Sequence, residues 1–397
     1  MPDTYTETTT TSYGERVKKS FGGVFAGIAL FFGSFALLWW NEGNNVDNIK
    51  KELYIEKNAV QVEPAEIDRA NDGKLIAVTG RVTSTVGELT DWQITAKNAL
   101  SLKHDVEMYQ WTESKTSHSK DNMGGSQTTT TTYNYQKEWS STYHDSSKFR
   151  IPDGHSNPGF PIQPGKVVAN EASLGQYKLN QQQISSIGGS VNVPDLPEEI
   201  SDSVGDYKLI SGSYYPYDYD PANPRIGDVK ITFSYVPSGV DVSIMGQQKS
   251  NNTISKVMTD NGDIYLQYDG NMGKNEMLQT FKRSNTMMTN LLRLLGWFMM
   301  FMGLKMLADP LVTIAKVLPF LASIVSFITG TVFFLLSVML SLLTIAIAWF
   351  AYRPVLSIVL LVIVGGLAFM CKKYIAAQKA AKAAAPAAPA QQEPAKN

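Results

Sequence analysis

The residues best suited to general acid–base work or metal ligation are four histidines, His104, His118, His144 and His155. They stand too far apart along the chain for a local ligand pair, so ordinary surface or core roles are expected. Asp218, Asp220 and Asn223 lie in a tyrosine- and proline-rich stretch whose oxygens could hold calcium. That stretch lacks the glycine and distal glutamate of an EF-hand loop. The single cysteine, Cys371, excludes an intrachain disulfide and a multi-cysteine zinc site, and it reads as a small apolar residue rather than a lipidation site. There is no GxSxG elbow, HExxH, P-loop or glycine-rich dinucleotide fingerprint. No catalytic residue, cofactor site or metal site is therefore assigned, and the expectation is a protein that is not an enzyme.

The elements around these residues are dominated by 288–371, a nearly continuous apolar stretch whose only charges are Arg293, Lys305, Asp309, Lys316 and Arg353. At ~1.5 Å per residue against a hydrocarbon core of ~30 Å, it divides into three crossings. These are 291–307, one within 319–350, and 354–371, with Pro319 and Pro354 where helices can begin. The basic residues fall near span ends, where long side chains can reach headgroups, and Asp309 beside Pro310 reads as a loop. Ser323, Ser326, Thr329, Thr331, Ser337, Ser341 and Thr344 dot the second span and suit helix contacts better than a pore.

Arg16, Lys18 and Lys19 precede a further uncharged run, 21–40, which ends in Trp39 and Trp40. Bulky indoles suit the aromatic belt rather than a cleavage site, so this run is read as a retained anchor. Residues 1–20 are expected to form a disordered cytoplasmic N-terminus, because 1–13 is polar, threonine-rich and has nothing to bury. The tail 372–397 is low in complexity and is likewise expected to be disordered and cytoplasmic. Basic residues at both ends call for an even number of spans, and four satisfies this, leaving 41–285 outside the cytoplasm.

Region 41–285 is polar and turn-rich, long enough for one large domain or two small ones. Period-two alternation marks strands at 74–82, 106–111 and 229–235. The turn Pro237-Ser238-Gly239 then predicts a hairpin with Val240, Val242 and Ile244, and a further strand follows at 264–268. Helical spacing of Leu174, Tyr177, Gln181, Ile184 and Ile187 after Asn170 suggests one amphipathic helix. Residues 115–132 read as a long flexible hairpin loop leading into a strand at 133–139, and 193–206 reads as an acidic, solvated loop.

The fold class is thus an α+β membrane protein with four transmembrane helices, one N-terminal and three C-terminal, and a large β-rich extracytoplasmic domain. A net charge of -1 argues against nucleic acid as a partner. The implied partners are the lipid bilayer and a second copy of the chain, with other membrane or envelope proteins open. Gly23 and Gly27, with Gly296 and Gly303, are candidate helix-packing residues, between copies or within one chain. Trp39, Trp40 and Arg353 are candidate interfacial anchors.

Several motifs in series resemble the transmembrane protein 43 (LUMA) family. They are Trp40-Asn41-Glu42-Gly43, the strand 106–111, Tyr133-Asn134-Tyr135 with Glu138-Trp139, and Gly154-His155 with Asn157-Pro158. Gly227-Asp228-Val229 with Phe233-Ser234-Tyr235, Arg283-Ser284-Asn285 before Gly296-Trp297, 301–304 and Tyr352-Arg353-Pro354 follow in order. The resemblance covers about residues 15–371, and the Ala/Pro/Lys tail has a bacterial character. It implies a self-associating four-span scaffold that organises a membrane region or complex. In eukaryotes the expected location is the endoplasmic reticulum and inner nuclear membrane, with lamins and emerin as partners. In a bacterium it is the inner membrane with a periplasmic domain, and no lamina exists to bind. The alternatives are a channel or transporter formed by the spans, and an envelope sensor or binding module.

Overall fold

The computed structural model of the protein describes residues 3–92, 94–192, 201–315, 317, 319–350 and 354–384. The helices are α1 (Tyr13–Asn58), α2 (Gln181–Ser185), α3 (Lys274–Ala315), α4 (Pro319–Trp349) and α5 (Pro354–Ala384). Among the described residues, α1, α3 and, over Gly330–Trp349, α4 are long and apolar enough to cross a membrane. The chain divides into two compact units. The β-rich unit comprises Met1–Thr9, Asp47–Ser119 and Thr129–Asn285, and the membrane unit Thr10–Val46, Lys120–Thr128 and Thr286–Asn397.

Two large sheets build most of the β-rich unit, beside a two-stranded one that pairs Glu88–Asp91 with Ile94–Lys97. In the larger, the strand Val229–Pro237 pairs antiparallel with Ala99–Asp121, which continues through Gln127–Ser140 to an edge strand, Asp3–Thr11. In the other, Leu75–Ser84 pairs antiparallel with Val240–Gln248. Alternation places Ile76 and Val78 in a main core with Leu102, Tyr177, Ile231, Phe233, Val242 and Ile244. Their neighbours Leu75, Ala77 and Met245 face a second core, closed by Ile55 of α1 and Met277 and Leu278 of α3. Burial on both faces explains why these strands carry apolar residues at consecutive positions rather than strictly every second one.

Several sequence expectations change. Pro237-Ser238-Gly239 is not a hairpin turn: Ser238 N donates to Asn98 O and Gly239 N to Val82 O, at 2.7 Å each. With Gly239 at φ +90°, the chain switches from one sheet to the other there. Leu174 and Tyr177 lie in the strands Ala172–Leu174 and Tyr177–Leu179, and the helix is the short α2, opened by a reciprocal capping box between Asn180 and Gln183. Residues 115–132 form most of a tight hairpin, with strand to Asp121 and again from Gln127. Of the loop expected at 193–206, residues 193–200 lie outside the described residues and Ser203–Val204 is strand.

The termini change as well. Asp3–Thr11 is a strand, not disordered chain, held by partners that the sequence does not place beside it. Glu7 receives Arg150 Nε and Nη2 at 2.9 and 2.5 Å and Tyr133 OH at 3.1 Å, while Thr6 and Thr132 meet at 3.2 Å. Residues 372–384 continue α5, and 385–397 lie outside the described residues. Asp309 and Pro310 sit inside α3 rather than in a loop.

Within the membrane unit, Arg16 is buried, donates to Gly125 O at 2.6 Å and pairs with Asp121 at 2.8 Å. The basic flank and the hairpin tip therefore lie together, whereas an extracytoplasmic 41–285 would separate them. A membrane-impermeant maleimide, applied to sealed vesicles in a Cys371→Ser background, should label Lys18→Cys and Ser126→Cys from the same side. Opposite accessibility would mean the Arg16–Gly125 bond is not made in the bilayer.

Candidate functional site

In the membrane unit, α1 and α3 run antiparallel through two matched ladders of residues. Along α1 the inward positions are Gly27, Phe31, Leu38, Asn41 and Glu42, and along α3 they are Gly303, Met300, Gly296, Arg293 and Thr289. Steps of three, four or seven residues keep each set on one face, with Asn41 and Glu42 adjacent at its polar end. Glycine lets the backbones close: a Cβ on Gly303 would stand 2.7 Å from Phe31 N and 2.9 Å from Gly27 O. A Cβ on Gly296 would meet Leu38 at 2.6 Å.

The polar end of this seam is the most concentrated chemistry of the unit. Glu42 is 1% exposed. Its Oε1 accepts Arg293 Nε at 2.6 Å and its Oε2 accepts Arg293 Nη2 at 2.8 Å, a bidentate pair. Trp349 of α4 donates its indole N–H to the same Oε2. The guanidinium lies 5.3 Å from the centre of the Trp349 ring, and its Nη1 donates to Asn290 Oδ1 at 3.1 Å. Beside it, Asn41 Nδ2 donates to Thr289 O at 3.1 Å. Three donors converge on this one carboxylate, so the arrangement clamps three helices together.

Of the candidate packing residues, Gly27, Gly296 and Gly303 meet one another's helices within the chain, and Gly23 has only the end of Met306 at 3.9 Å. Trp39 and Trp40 are exposed on α1, and Arg353 lies outside the described residues. Arg293 does not reach out to headgroups as expected, because Glu42 holds it. Ser337, Ser341 and Thr344 donate to Phe334 O, Val338 O and Leu340 O of their own helix rather than across helices. The clamp escaped the sequence reading because Glu42 and Arg293 are 251 positions apart. The available signals were an acid directly after an apolar run and a lone arginine inside one.

The histidines are separate in the β-rich unit. His104 Nδ1 lies 2.5 Å from Asp91 and its Nε2 2.9 Å from Gln163 O. His155 stacks on Tyr135 at 4.0 Å, with Trp111 edge-on at 4.7 Å. Asn157 ties this nest by accepting from Trp111 N and donating to Trp111 O and His144 O. Burial, then the Glu113 carboxylate that accepts its proton, pushes the Tyr135 phenol up to about 12. Asp218 pairs with Arg225, while Asp220 caps Ala222 N and Asn223, so these oxygens are engaged locally. Among the described residues no cluster of three or more His, Cys, Asp or Glu could hold a metal.

A cleft of about 280 Å³ opens beside α2, lined by Gln183, Ser186, Ile254, Lys256, Tyr265 and Gln267. Gln183 Nε2 donates to Ile254 O and to Tyr265 OH at 2.9 Å, and Tyr265 OH donates to Gln267 at 2.8 Å. Burial pushes the Tyr265 phenol up to about 12, so it is a neutral hydrogen-bonding group at physiological pH.

Long apolar helices, a β-rich unit and a polar helix clamp define a membrane protein of mixed α+β construction. Comparison with known proteins makes this particular: residues 108–354, more than half the chain, match the family described as Transmembrane protein 43, and the chain belongs to that family. Transmembrane protein 43 of Homo sapiens is 28% identical over 365 residues, covering 87% of this chain and 88% of that protein. The Drosophila melanogaster homolog is 28% identical over 300 residues, 74% of this chain and 78% of that protein. No solved structure matches the chain.

Replacing Arg293 with Met strands a buried carboxylate and should cost about 3–5 kcal/mol. Adding Glu42→Gln should recover most of that loss in a double-mutant cycle followed by thermal unfolding in detergent. Additive losses would refute the clamp. Gly303→Ala should cost about 1–3 kcal/mol through backbone displacement. Gly365→Ala, whose Cβ would meet nothing within 4 Å, should be neutral.

Proposed function

We propose that the chain is a four-span, non-catalytic membrane scaffold, with α5 as the fourth span, that self-associates and presents its β-rich unit to other proteins. The observation that carries this reading is that the concentrated polar groups serve structure. The Glu42 carboxylate is held by Arg293 and Trp349, His104 is engaged at both ring nitrogens, and His155 stacks on Tyr135 with its Nδ1 2.9 Å from Ile151 O.

The binding-module alternative draws support from the cleft beside α2. It makes the β-rich unit a receptor for a small polar molecule rather than a docking platform. Native mass spectrometry of the full chain in lipid nanodiscs tests the preferred reading, which expects discrete oligomers. A monomer throughout would end the self-association part. Gly27→Ile is not a test of association, because Gly27 already packs on Gly303 within the chain.

A further inference from the structure

The turn that joins the long hairpin is built rigidly. Gly124 and Gly125 take φ of +85° and +84°, Gly125 N donates to Asn122 O at 3.0 Å, and Asn122 N donates to Ser126 O at 2.8 Å. Asn122 Nδ2 also donates to Thr128 Oγ1 at 2.9 Å. This framework turns Met123 outward, where it is 77% exposed. A single exposed apolar residue is ordinary. This one has apolar company.

Gly124 N donates to Val317 O at 3.2 Å, and Tyr13, which packs on Gly125, donates its hydroxyl to Ile314 O at 3.3 Å. Val317, Ile314 and, one turn back, Leu311 are all exposed. Val317 stands just before α4, whose sequence from Pro319 to Trp349 carries no charge. The patch is therefore continuous with helices long and apolar enough to cross a membrane. Among the described residues, Arg16, Lys18, Lys19 and Lys120 stand near it in the chain or on the tip against Glu15, Asp121 and the exposed Asp309 of α3, four cations to three carboxylates. Arg16 is engaged with Asp121 and Lys19 with Glu15, while Lys18 and Lys120 are exposed.

We propose that the hairpin tip 120–128 is a membrane-surface anchor that lays Met123 into the headgroup–acyl boundary of an anionic bilayer, with Lys18 and Lys120 over the headgroups. The tip lacks the length to cross lipid. Backbone groups of the tip are bonded within the turn, to Arg16 of α1 and to Val317 O, which is what boundary placement requires. Electrostatic attraction of exposed lysines to anionic lipid adds to the insertion of one methionine. The inference rests on α1 and α3 being membrane helices.

The test uses the full chain in a Cys371→Ser background, reconstituted in phosphatidylcholine vesicles with phosphatidylglycerol. An environment-sensitive fluorophore is placed at Met123→Cys, at Ser250→Cys as an exposed turn of the β-rich unit, and at Phe25→Cys on the outer face of α1. Lipid bearing a quencher near the headgroup should reduce emission at Met123 by about twofold or more while leaving Ser250 unchanged, and the effect should weaken in pure phosphatidylcholine. Acyl-chain quenchers should reduce emission at Phe25. Quenching at Phe25 without quenching at Met123 overturns the anchor alone. Quenching at neither overturns the membrane reading and the anchor together. Equal quenching at Met123 with and without phosphatidylglycerol overturns the role of the lysines.

Discussion

A carboxylate taken out of water must be neutralised by a partner of fixed geometry, and the membrane unit is arranged around meeting that demand at Glu42. An unpaired charge at the centre of a spanning helix costs about 2.5–3.5 kcal/mol on insertion scales. Arg293 answers it with two parallel hydrogen bonds, and the Trp349 indole takes up a further lone pair. Because a bidentate fork tolerates little slippage, the pair fixes the register of α1 on α3. Gly27 then falls opposite Gly303, and Leu38 falls opposite Gly296. A slip of one turn would put Leu38 against a larger residue and leave the carboxylate without its fork.

This register also redirects any reading of association. Small residues are the usual means by which spanning helices approach, and here the three tightest are consumed inside one chain. The hydroxyls of Ser337, Ser341 and Thr344 return to their own helix. What α1 leaves outward includes the bulky Phe21, Phe25, Ile28 and Phe32 beside the small, exposed Gly22, Ala26 and Ala29. The aromatic residues suit lipid or a complementary face, and Gly22, where a Cβ would meet nothing within 4 Å, leaves a small-residue approach open.

Sequence pattern located the elements that are stabilised locally and missed those defined by distant partners. Apolar runs of sufficient length marked α1, α3 and α4, and period-two alternation marked Leu75–Ser84 and Val229–Pro237. The strand Asp3–Thr11 carries no apolar alternation. It is ordered by Arg150, Tyr133 and threonine pairs contributed from more than a hundred positions away. The turn at 237–239 has the composition of a hairpin, and only its bonds to Asn98 and Val82 send the next strand to another sheet. The clamp is the same case in the membrane unit: Arg293 reads alone as a basic residue near a span end, and its pairing with Glu42 gives it a different role.

Arg16 ties the orientation of a flank to the position of a loop. Basic residues before a span orient it while the helix inserts, before tertiary contacts form. At that stage Arg16, Lys18 and Lys19 act as free cations whatever they later touch. Once folded, Arg16 is buried against Gly125 O and Asp121, so the flank has become a receptor for the hairpin tip. The orientation of α1 and the location of 120–128 are therefore no longer independent. Whichever side of the membrane the flank takes, the tip takes it too.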